Sequence, residues 1–274
     1  MLIGGTTVWD ATYTMDALHR RITPVEEPEK RTRFIAFFGC SYTFGTGVND
    51  NETLPFYVGR YAPGFMPYNY GGPGWGPQQM LLKLQEENLR GEISQPRGIG
   101  VYVYIDDHPR RAIGAMRIFW ARRYPCYERQ DGKLTYLGDF RLAHPWRTFL
   151  YDCLLKSNTV EFLHFDLPPR ITEADIQLTA DITKESAACF ASQFNKDPFY
   201  VLIFPYQQPY GPRLLKYLTK DRVPYLDCIH LLDGADWQTL YADMHPTPRA
   251  YDAVEVKNPT SPCFSSSANL STCS

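Results

Sequence analysis

The chain has 274 residues, enough for one large α/β domain or two small ones with a buried core. Hydrophobic residues make up 44%, charged residues 21%, and the formal net charge is −2, which excludes a disordered chain, a coiled coil and a large basic surface for nucleic acid. No stretch approaches the roughly 20 apolar residues of a membrane-spanning helix, and the 22 prolines and 15% aromatic residues favour loops around a sheet.

Residues 1–30 are mixed and polar, and we predict that they form an arm lying on the main domain. Within this arm, residues 12–15 (Thr-Tyr-Thr-Met) alternate like a short strand. The N-terminus lacks a basic segment followed by a long apolar segment, so we expect no signal peptide and a cytoplasmic protein.

Continuous apolar runs predict strands covered on both faces. Five runs fit this pattern, at residues 34–38, 68–70, 101–105, 200–204 and 225–229. Helical patterns lie between them, at Gln78–Glu87, from Thr172 onward with a capping-box partner at Asp175, and at Leu214–Leu218. This alternation predicts a three-layer α/β/α sandwich around a mostly parallel, five-stranded, flavodoxin-like sheet.

Residues 118–168 interrupt the alternation, and we interpret them as an insertion in a main domain that covers residues 31–257. Residues 127–137 contain Asp131-Gly132 between two strand-like segments and predict a β-hairpin with a type I′ turn. The insertion is either a lid or wall for a substrate or a packing element without a chemical role. Residues 258–274 are rich in Ser, Thr, Pro and Asn, which predicts a disordered tail.

The seven cysteines are scattered, without a Cys-x-x-Cys pair or the Cys/His spacing of a zinc site. We expect buried free thiols in a reducing compartment. Cys263 and Cys273 fall in the predicted tail and are expected to be exposed.

A serine follows the first apolar run, within Gly39-Cys40-Ser41. The carboxyl end of a parallel strand is where α/β proteins place their sites, but a serine hydroxyl needs a base to become a nucleophile. Asp243-Met244-His245-Pro246 offers one, because a carboxylate can fix the imidazole tautomer and leave the other ring nitrogen free to accept a proton. The alternative is that Ser41 caps a helix.

A glycine-rich turn follows the second run, at residues 69–76 (Asn-Tyr-Gly-Gly-Pro-Gly-Trp-Gly). Its backbone N–H groups would suit an oxyanion. A dinucleotide-binding loop is disfavoured, because Pro73 has no N–H and no acidic residue ends a following strand at the required spacing. The nearby Tyr42, Tyr70 and Trp75 would line a sugar or acyl pocket, or else belong to the core or rim.

Asp106-Asp107-His108 follows the third run, where both acids would face the cleft. Two carboxylates and an imidazole suggest a metal, but no second cluster completes a ligand set. We therefore expect no metal site and no cofactor.

These blocks, in this order, resemble the SGNH/GDSL hydrolase superfamily over residues 34–251. Residues 39–48 are similar to the nucleophile block, residues 69–74 to the oxyanion block, and residues 243–246 to the block that completes the triad. The resemblance implies the SGNH hydrolase fold and a Ser41–His245–Asp243 triad. It also implies an oxyanion hole from the Ser41 and Gly71 N–H groups, with Asp106 at the family's asparagine position.

Two departures affect this assignment. Cys40 replaces the aspartate that precedes the family's nucleophile, and Asp106 replaces an asparagine that donates to the oxyanion. An ionised aspartate only accepts hydrogen bonds. Either Asp106 is protonated, or His108 supplies the donor, or the hole uses only the two backbone N–H groups.

The resemblance therefore implies a serine esterase or deacylase that forms an acyl-Ser41 intermediate on a small-molecule or carbohydrate ester, with Tyr42, Trp75 and His108 as candidate substrate contacts. Two alternatives remain, an O-acyltransferase on the same fold and a non-catalytic glycan- or protein-binding module. The sequence does not predict an oligomeric state.

Overall fold

Five strands form the central sheet of the protein. The structure is a computed structural model and describes residues 1–206, 209–235 and 238–256. With strands numbered along the chain, they are β1 (Arg33–Gly39), β2 (Phe65–Gly71), β3 (Arg97–Tyr104), β6 (Phe199–Ile203) and β7 (Tyr225–Asp227). The order is β2-β1-β3-β6-β7, and every neighbouring pair is parallel. Each predicted run is thus a strand, and the sheet has the flavodoxin-like order.

The α-helices of the described residues lie between and beside these strands: α1 (Ser41–Phe44), α2 (Leu54–Tyr61), α3 (Pro77–Glu86), α4 (His108–Ala112), α5 (Phe140–Ala143), α6 (Pro145–Leu154), α7 (Asn158–Phe162), α8 (Glu173–Gln193), α9 (Gly211–Lys220) and α10 (Pro248–Val256). The three predicted helices correspond to α3, α8 and α9. None of these helices is long and apolar enough to cross a membrane.

The sheet separates two hydrophobic layers, because side chains alternate along each strand. In β1, Phe34, Ala36 and Phe38 face a core shared with α3, α8 and α9. Ile35 and Phe37 face the opposite core, shared with α2 and α10. The predicted three-layer α/β/α sandwich is confirmed.

The long helix α8 begins at the predicted capping box. The Thr172 N–H donates to Asp175 Oδ2 (2.7 Å), and the Asp175 N–H donates back to Thr172 Oγ1 (3.3 Å). The side chains of Ile176, Ala180 and Phe190 are buried on its inner face. The capping signal at Thr172 and Asp175 therefore predicted the start of this helix correctly.

The hairpin in the insertion is also present, as β4 (Pro125–Gln130) and β5 (Lys133–Asp139) paired antiparallel. Asp131 and Gly132 both have positive φ, at 50° and 77°, as a type I′ turn requires. The rest of the insertion contains α5, α6 and α7. The insertion contacts the main domain through Trp120, whose indole N–H donates to the Gly74 carbonyl (3.2 Å), and through Tyr127, whose hydroxyl donates to Gln85 Oε1 (2.6 Å).

The N-terminal arm differs from the prediction in one respect, because residues 12–15 do not form a strand. Met15 makes only an isolated bridge with Arg21. The Thr12 and Thr14 N–H groups instead donate to Asn49 Oδ1 (3.0 Å) and to the Asp50 carboxylate (3.1 Å). Side chains from the α1–α2 connection thus provide the partners that a neighbouring strand would have provided.

The cysteine prediction holds only in part. Cys40, Cys126 and Cys228 are free and buried, whereas Cys153 is free but exposed. The predicted tail, with Cys263 and Cys273, lies outside the described residues.

Candidate active site

The turn after β1 presents Ser41 as the first residue of α1. Cys40, not Ser41, occupies the N-cap position, so the helix-cap alternative for Ser41 is wrong. Gly39 makes the turn possible: its φ is 147°, and a Cβ there would lie 2.3 Å from Thr43 Oγ1 and 2.9 Å from the Val103 carbonyl oxygen. Only glycine tolerates this approach of the backbone.

His245 and Asp243 lie in the loop between β7 and α10. Asp243 Oδ2 is 3.0 Å from His245 Nδ1 and accepts a second hydrogen bond from the Trp9 indole N–H (2.7 Å). Burial acts to raise the pKa of Asp243, but the hydrogen bonds from Trp9 and His245 outweigh it and hold that pKa below its ordinary value. Asp243 is therefore a carboxylate that would bind His245 through Nδ1–H and leave Nε2 free as a proton acceptor.

Tyr42 joins the serine turn to this loop. Its hydroxyl donates to the Met244 carbonyl oxygen (2.6 Å), and its ring centroid lies 6.0 Å from that of His245. Within the described residues, Ser41 and His245 are not hydrogen-bonded to each other. Catalytic hydrogen bonds are often long before substrate binds, so this geometry does not exclude His245 as the base for Ser41.

Asn69 attaches the serine turn to β2. It is buried, and its amide donates to the Thr43 (3.0 Å) and Phe44 (3.3 Å) carbonyl oxygens. Its Oδ1 accepts the Gly71 N–H (2.9 Å). The sequence-based assignment of the Gly71 N–H to an oxyanion hole therefore needs correction, because that N–H is already used by a neighbouring side chain.

Gly74 offers an N–H in the same turn. In the described part of the chain, this group makes no hydrogen bond, and the neighbouring Trp75 carbonyl oxygen accepts a bond from Arg111 (2.7 Å). Arg111 also interacts with Cys40, the residue before Ser41. The Gly74–Trp75 segment and the serine turn thus meet at one guanidinium.

Asp106 is held by hydrogen bonds from the protein itself. Its Oδ2 accepts the Tyr210 N–H (2.8 Å), directly before α9, and its Oδ1 accepts the Tyr104 hydroxyl (3.2 Å). Burial raises the pKa of Asp106 to about 6, against the opposing effect of these bonds. The carboxyl group is therefore engaged at the start of α9.

His108 and Tyr42 were predicted as substrate contacts, and their burial contradicts this. His108 is 0% exposed, stacks on Tyr102 (5.4 Å between ring centroids) and places Nδ1 2.6 Å from the Tyr102 hydroxyl. Burial, with a smaller effect from Arg111, holds its pKa well below the ordinary value, so it is neutral. Tyr42 is 6% exposed and uses its hydroxyl in the Met244 contact. Trp75 is only half-buried and remains a candidate contact.

Three residues at this site carried no sequence signal. Arg111 is 7% exposed and donates from Nε to Asp107 (2.7 Å) as well as to Trp75. Arg21 of the arm is 2% exposed and donates to the Phe44 (2.8 Å) and Val48 (2.6 Å) carbonyl oxygens that follow the serine. Trp9, described above, is the third. None of them belongs to a motif, so only the tertiary structure reveals them.

Comparison with solved structures gives matches that cover most of the chain. A member of the lipolytic protein G-D-S-L family from Veillonella parvula matches with a TM-score of 0.45 and 14% identity, over 81% of this chain and 93% of that one. An acetylxylan esterase from Geobacillus stearothermophilus matches with a TM-score of 0.44 and 11% identity, over 82% and 92%. No family model and no curated protein matches the sequence.

Proposed function

We propose that the protein is a serine hydrolase that cleaves ester bonds, with Ser41 as nucleophile, His245 as general base and Asp243 as the residue that orients His245. The observation that carries the proposal is the hydrogen-bonded Asp243–His245 pair, held beside the Ser41 turn by the Tyr42–Met244 contact. Both lie past the carboxyl ends of parallel strands, where α/β proteins bind ligands.

In the acylation step, Ser41 Oγ attacks the carbonyl carbon of the ester as its proton passes to His245 Nε2. The tetrahedral intermediate collapses when the carbon–oxygen bond to the alcohol breaks, and His245 returns the proton to the departing alkoxide. The products of this step are the free alcohol and an acyl-Ser41 ester. The Asp243 carboxylate stabilises the imidazolium that forms in between.

In the deacylation step, His245 takes a proton from water while the oxygen attacks the acyl carbon. Collapse of the second intermediate breaks the bond to Ser41 Oγ, which recovers its proton from His245. The acid leaves and the site returns to its starting state. No cofactor is consumed, so the residues of the chain account for both half-reactions.

For the oxyanion we propose the backbone N–H groups of Ser41 and Gly74. Ser41 begins a helix, and an N–H at that position has no partner within the helix. Gly74 takes the place first assigned to Gly71, since the Gly71 N–H is bound by Asn69. Asp106 supplies no donor when ionised, and its oxygens are already bound by Tyr210 and Tyr104.

The substrate class that we propose is a small-molecule or carbohydrate ester, as the resemblance of the sequence blocks implies. Trp75, in the glycine-rich turn, is a half-exposed aromatic side chain able to stack on a sugar ring. Tyr42 and His108 have no part in this contact.

One observation favours a second candidate, a glycan- or protein-binding module without catalysis. The family's amide donor is absent at Asp106, and the loss of one oxyanion donor costs about 2.7–4 kcal/mol of transition-state stabilisation. A binding module predicts a folded protein without turnover.

The first experiment is hydrolysis of p-nitrophenyl acetate by the wild type and by Ser41→Ala. We expect kcat/KM to fall by at least about 10³-fold in Ser41→Ala, because the nucleophile is lost. Ser94→Ala is the matched control, since Ser94 is exposed and remote from the Ser41 turn in sequence. Equal rates for wild type and Ser41→Ala would exclude Ser41 as the nucleophile. Faster transfer of acetyl to an added alcohol than to water would identify an O-acyltransferase instead.

A further inference from the structure

A cluster of three metal-ligating side chains lies in the insertion, at Cys126, Glu128 and His144. Cys126 and Glu128 stand two residues apart on β4, and His144 directly precedes α6. One ligand atom from each residue lies within 4.8 Å of the other two. His144 Nε2 is 2.5 Å from Glu128 Oε1. Three residues, two from β4 and one from the start of α6, therefore place potential metal-ligand atoms within one small region.

The thiol is the feature that an ordinary surface ion pair does not explain. Glu128 and His144 have partly exposed side chains, at 36% and 25%, and by themselves would form such a pair. Cys126 is 0% exposed, yet its sulfur lies within the same group as the carboxylate and the imidazole. A purely apolar role for the thiol would not require it to lie against two polar groups.

We propose that Cys126, Glu128 and His144 form a binding site for a divalent transition-metal ion of the zinc type. Thiolate, imidazole and carboxylate are the ligands that Zn²⁺ uses in proteins, and a thiolate disfavours Mg²⁺ and Ca²⁺. Three protein ligands leave one tetrahedral position for water.

The geometry needs only small adjustments to take such an ion. Metal–ligand bonds of about 2.0–2.3 Å place tetrahedral ligand atoms about 3.3–3.8 Å apart. The imidazole nitrogen and the carboxylate oxygen, 2.5 Å apart, therefore separate by about 1 Å, and the sulfur, within 4.8 Å of both, approaches by no more than about 1.5 Å. On binding, the Cys126 thiol proton and the proton between His144 and Glu128 pass to solvent or to the other ring nitrogen.

The solvent access of Glu128 and the position of the nearby Arg147 are compatible with a bound metal ion. Glu128 also lines a cavity of about 280 Å³ between the insertion and the α4 and α8 helices of the main domain, which gives solvent access to its carboxylate. Arg147 lines the same cavity, and its guanidinium lies over the Phe140 ring (5.6 Å to the centroid). Among the described residues, the ion-pair partner of Glu128 is His144 and not Arg147.

The consequence is a tether within the insertion. An ion bound here joins the hairpin strand β4 to the start of α6, two elements 14 or more residues apart along the chain. Its role is structural and does not depend on the proposed ester hydrolysis. The test accordingly uses a readout other than activity.

The experiment is titration of the metal-free full chain with Co²⁺, observed through the thiolate-to-cobalt charge-transfer absorption. We expect the wild type to bind one equivalent with this band and Cys126→Ser to lose it. Glu128→Gln and His144→Asn keep the thiol and should weaken Co²⁺ binding by at least about 10–100-fold, since the loss of a group that only supports a ligand already costs that much. Excess Zn²⁺ should displace the cobalt and raise Tm.

Two controls separate the cluster from other thiols. Cys153→Ser removes an exposed free thiol of the same insertion and should leave the band unchanged. The double variant Cys263→Ser/Cys273→Ser should also leave it unchanged. A wild type without the band, or a band that persists in Cys126→Ser, would overturn the proposal. If Cys126→Ser fails to fold, unaltered affinity in Glu128→Gln and His144→Asn would overturn it equally.

Discussion

Asp106 is a residue whose surroundings oppose its charge. Burial raises its pKa to about 6, while the Tyr210 N–H and the Tyr104 hydroxyl act in the other direction. In the unfolded chain an aspartate titrates near 3.9, so between these values the folded protein holds a proton that the unfolded chain has lost. The contribution of Asp106 to the free energy of unfolding therefore falls as pH rises from about 4 to about 6 and stays low above that range.

We predict that Asp106→Asn stabilises the protein at pH 8 relative to the wild type, but not at pH 4. The amide has nearly the same shape, can still accept the Tyr210 N–H, and carries no charge to bury. Because the carboxyl is partly exposed, we expect a gain of about 1 kcal/mol at pH 8. Urea unfolding of both proteins at the two pH values measures it. A difference between the proteins that is the same at both pH values would contradict this account of Asp106.

Arg111 is a positioning residue, since it bonds to the Trp75 carbonyl and to Asp107 and also interacts with Cys40. We predict that Arg111→Lys lowers kcat by about 10–100-fold with little change in KM, because one ammonium group cannot hold these partners in a fixed fork. Steady-state kinetics on p-nitrophenyl acetate give both constants.

Arg110→Lys is the matched control for this variant. Arg110 is the adjacent residue, and its guanidinium pairs with Asp166 of the insertion, outside the proposed site. A kcat for Arg111→Lys equal to that of Arg110→Lys would show that Arg111 does not position the site.

At the scale of elements, the N-terminal arm supports the serine turn. The Arg21 side chain is fully buried, bonds to Asp50 through Nε (2.9 Å) and donates to the carbonyl oxygens of Phe44 and Val48. Trp9 extends the same support to Asp243. The arm thus contacts the segment that follows Ser41 and the Asp243 carboxylate, although it precedes the first strand of the sheet.

We predict that Arg21→Met lowers the free energy of unfolding by about 3–5 kcal/mol, because it leaves buried carbonyl groups and Asp50 without their donor. Arg60→Met is the control, since Arg60 is exposed at the end of α2, and its effect should stay within about 0.5 kcal/mol. Urea unfolding monitored by tryptophan fluorescence compares the two. An effect of Arg21→Met no larger than that of Arg60→Met would contradict the role given to the arm.

Elements with a local signal were predictable from the sequence, and those held by distant contacts were not. The α8 capping box lies within four residues, and the hairpin turn depends on Asp131-Gly132 alone. The Trp9–Asp243 hydrogen bond joins residues 234 positions apart along the chain, and no sequence pattern in either segment predicts it. For the same reason residues 12–15 resembled a strand although their partners are side chains elsewhere.

The site follows the same division. Ser41, Asp243 and His245 could be proposed from the sequence because short motifs carry them, and the Asp243–His245 contact is local. The Gly71 assignment failed because sequence spacing does not show which N–H the Asn69 side chain takes. The substrate roles of Tyr42 and His108 failed because polar aromatic residues near a turn are as readily buried as exposed.

At the scale of the whole molecule, the parallel sheet brings the site together. The order β2-β1-β3 places the glycine-rich turn, the serine turn and the Asp106–Arg111 segment side by side at one edge. The loop after β7 returns across this edge with Asp243 and His245, and Tyr42 fixes it there. Segments that lie as far apart along the chain as residues 39 and 245 thereby meet at one edge of the sheet. This proximity is the physical basis of the proposed triad.

Labelling with a fluorophosphonate probe tests this central claim most directly, because the probe reacts only with a serine whose hydroxyl is activated. We predict rapid stoichiometric labelling of the wild type, with the modified residue identified as Ser41 by peptide mass spectrometry. Labelling should disappear in Ser41→Ala, slow strongly in His245→Ala, and remain unchanged in His230→Ala, which alters an exposed histidine. A folded wild type that does not react, or a reaction that persists in Ser41→Ala, would contradict the proposed triad.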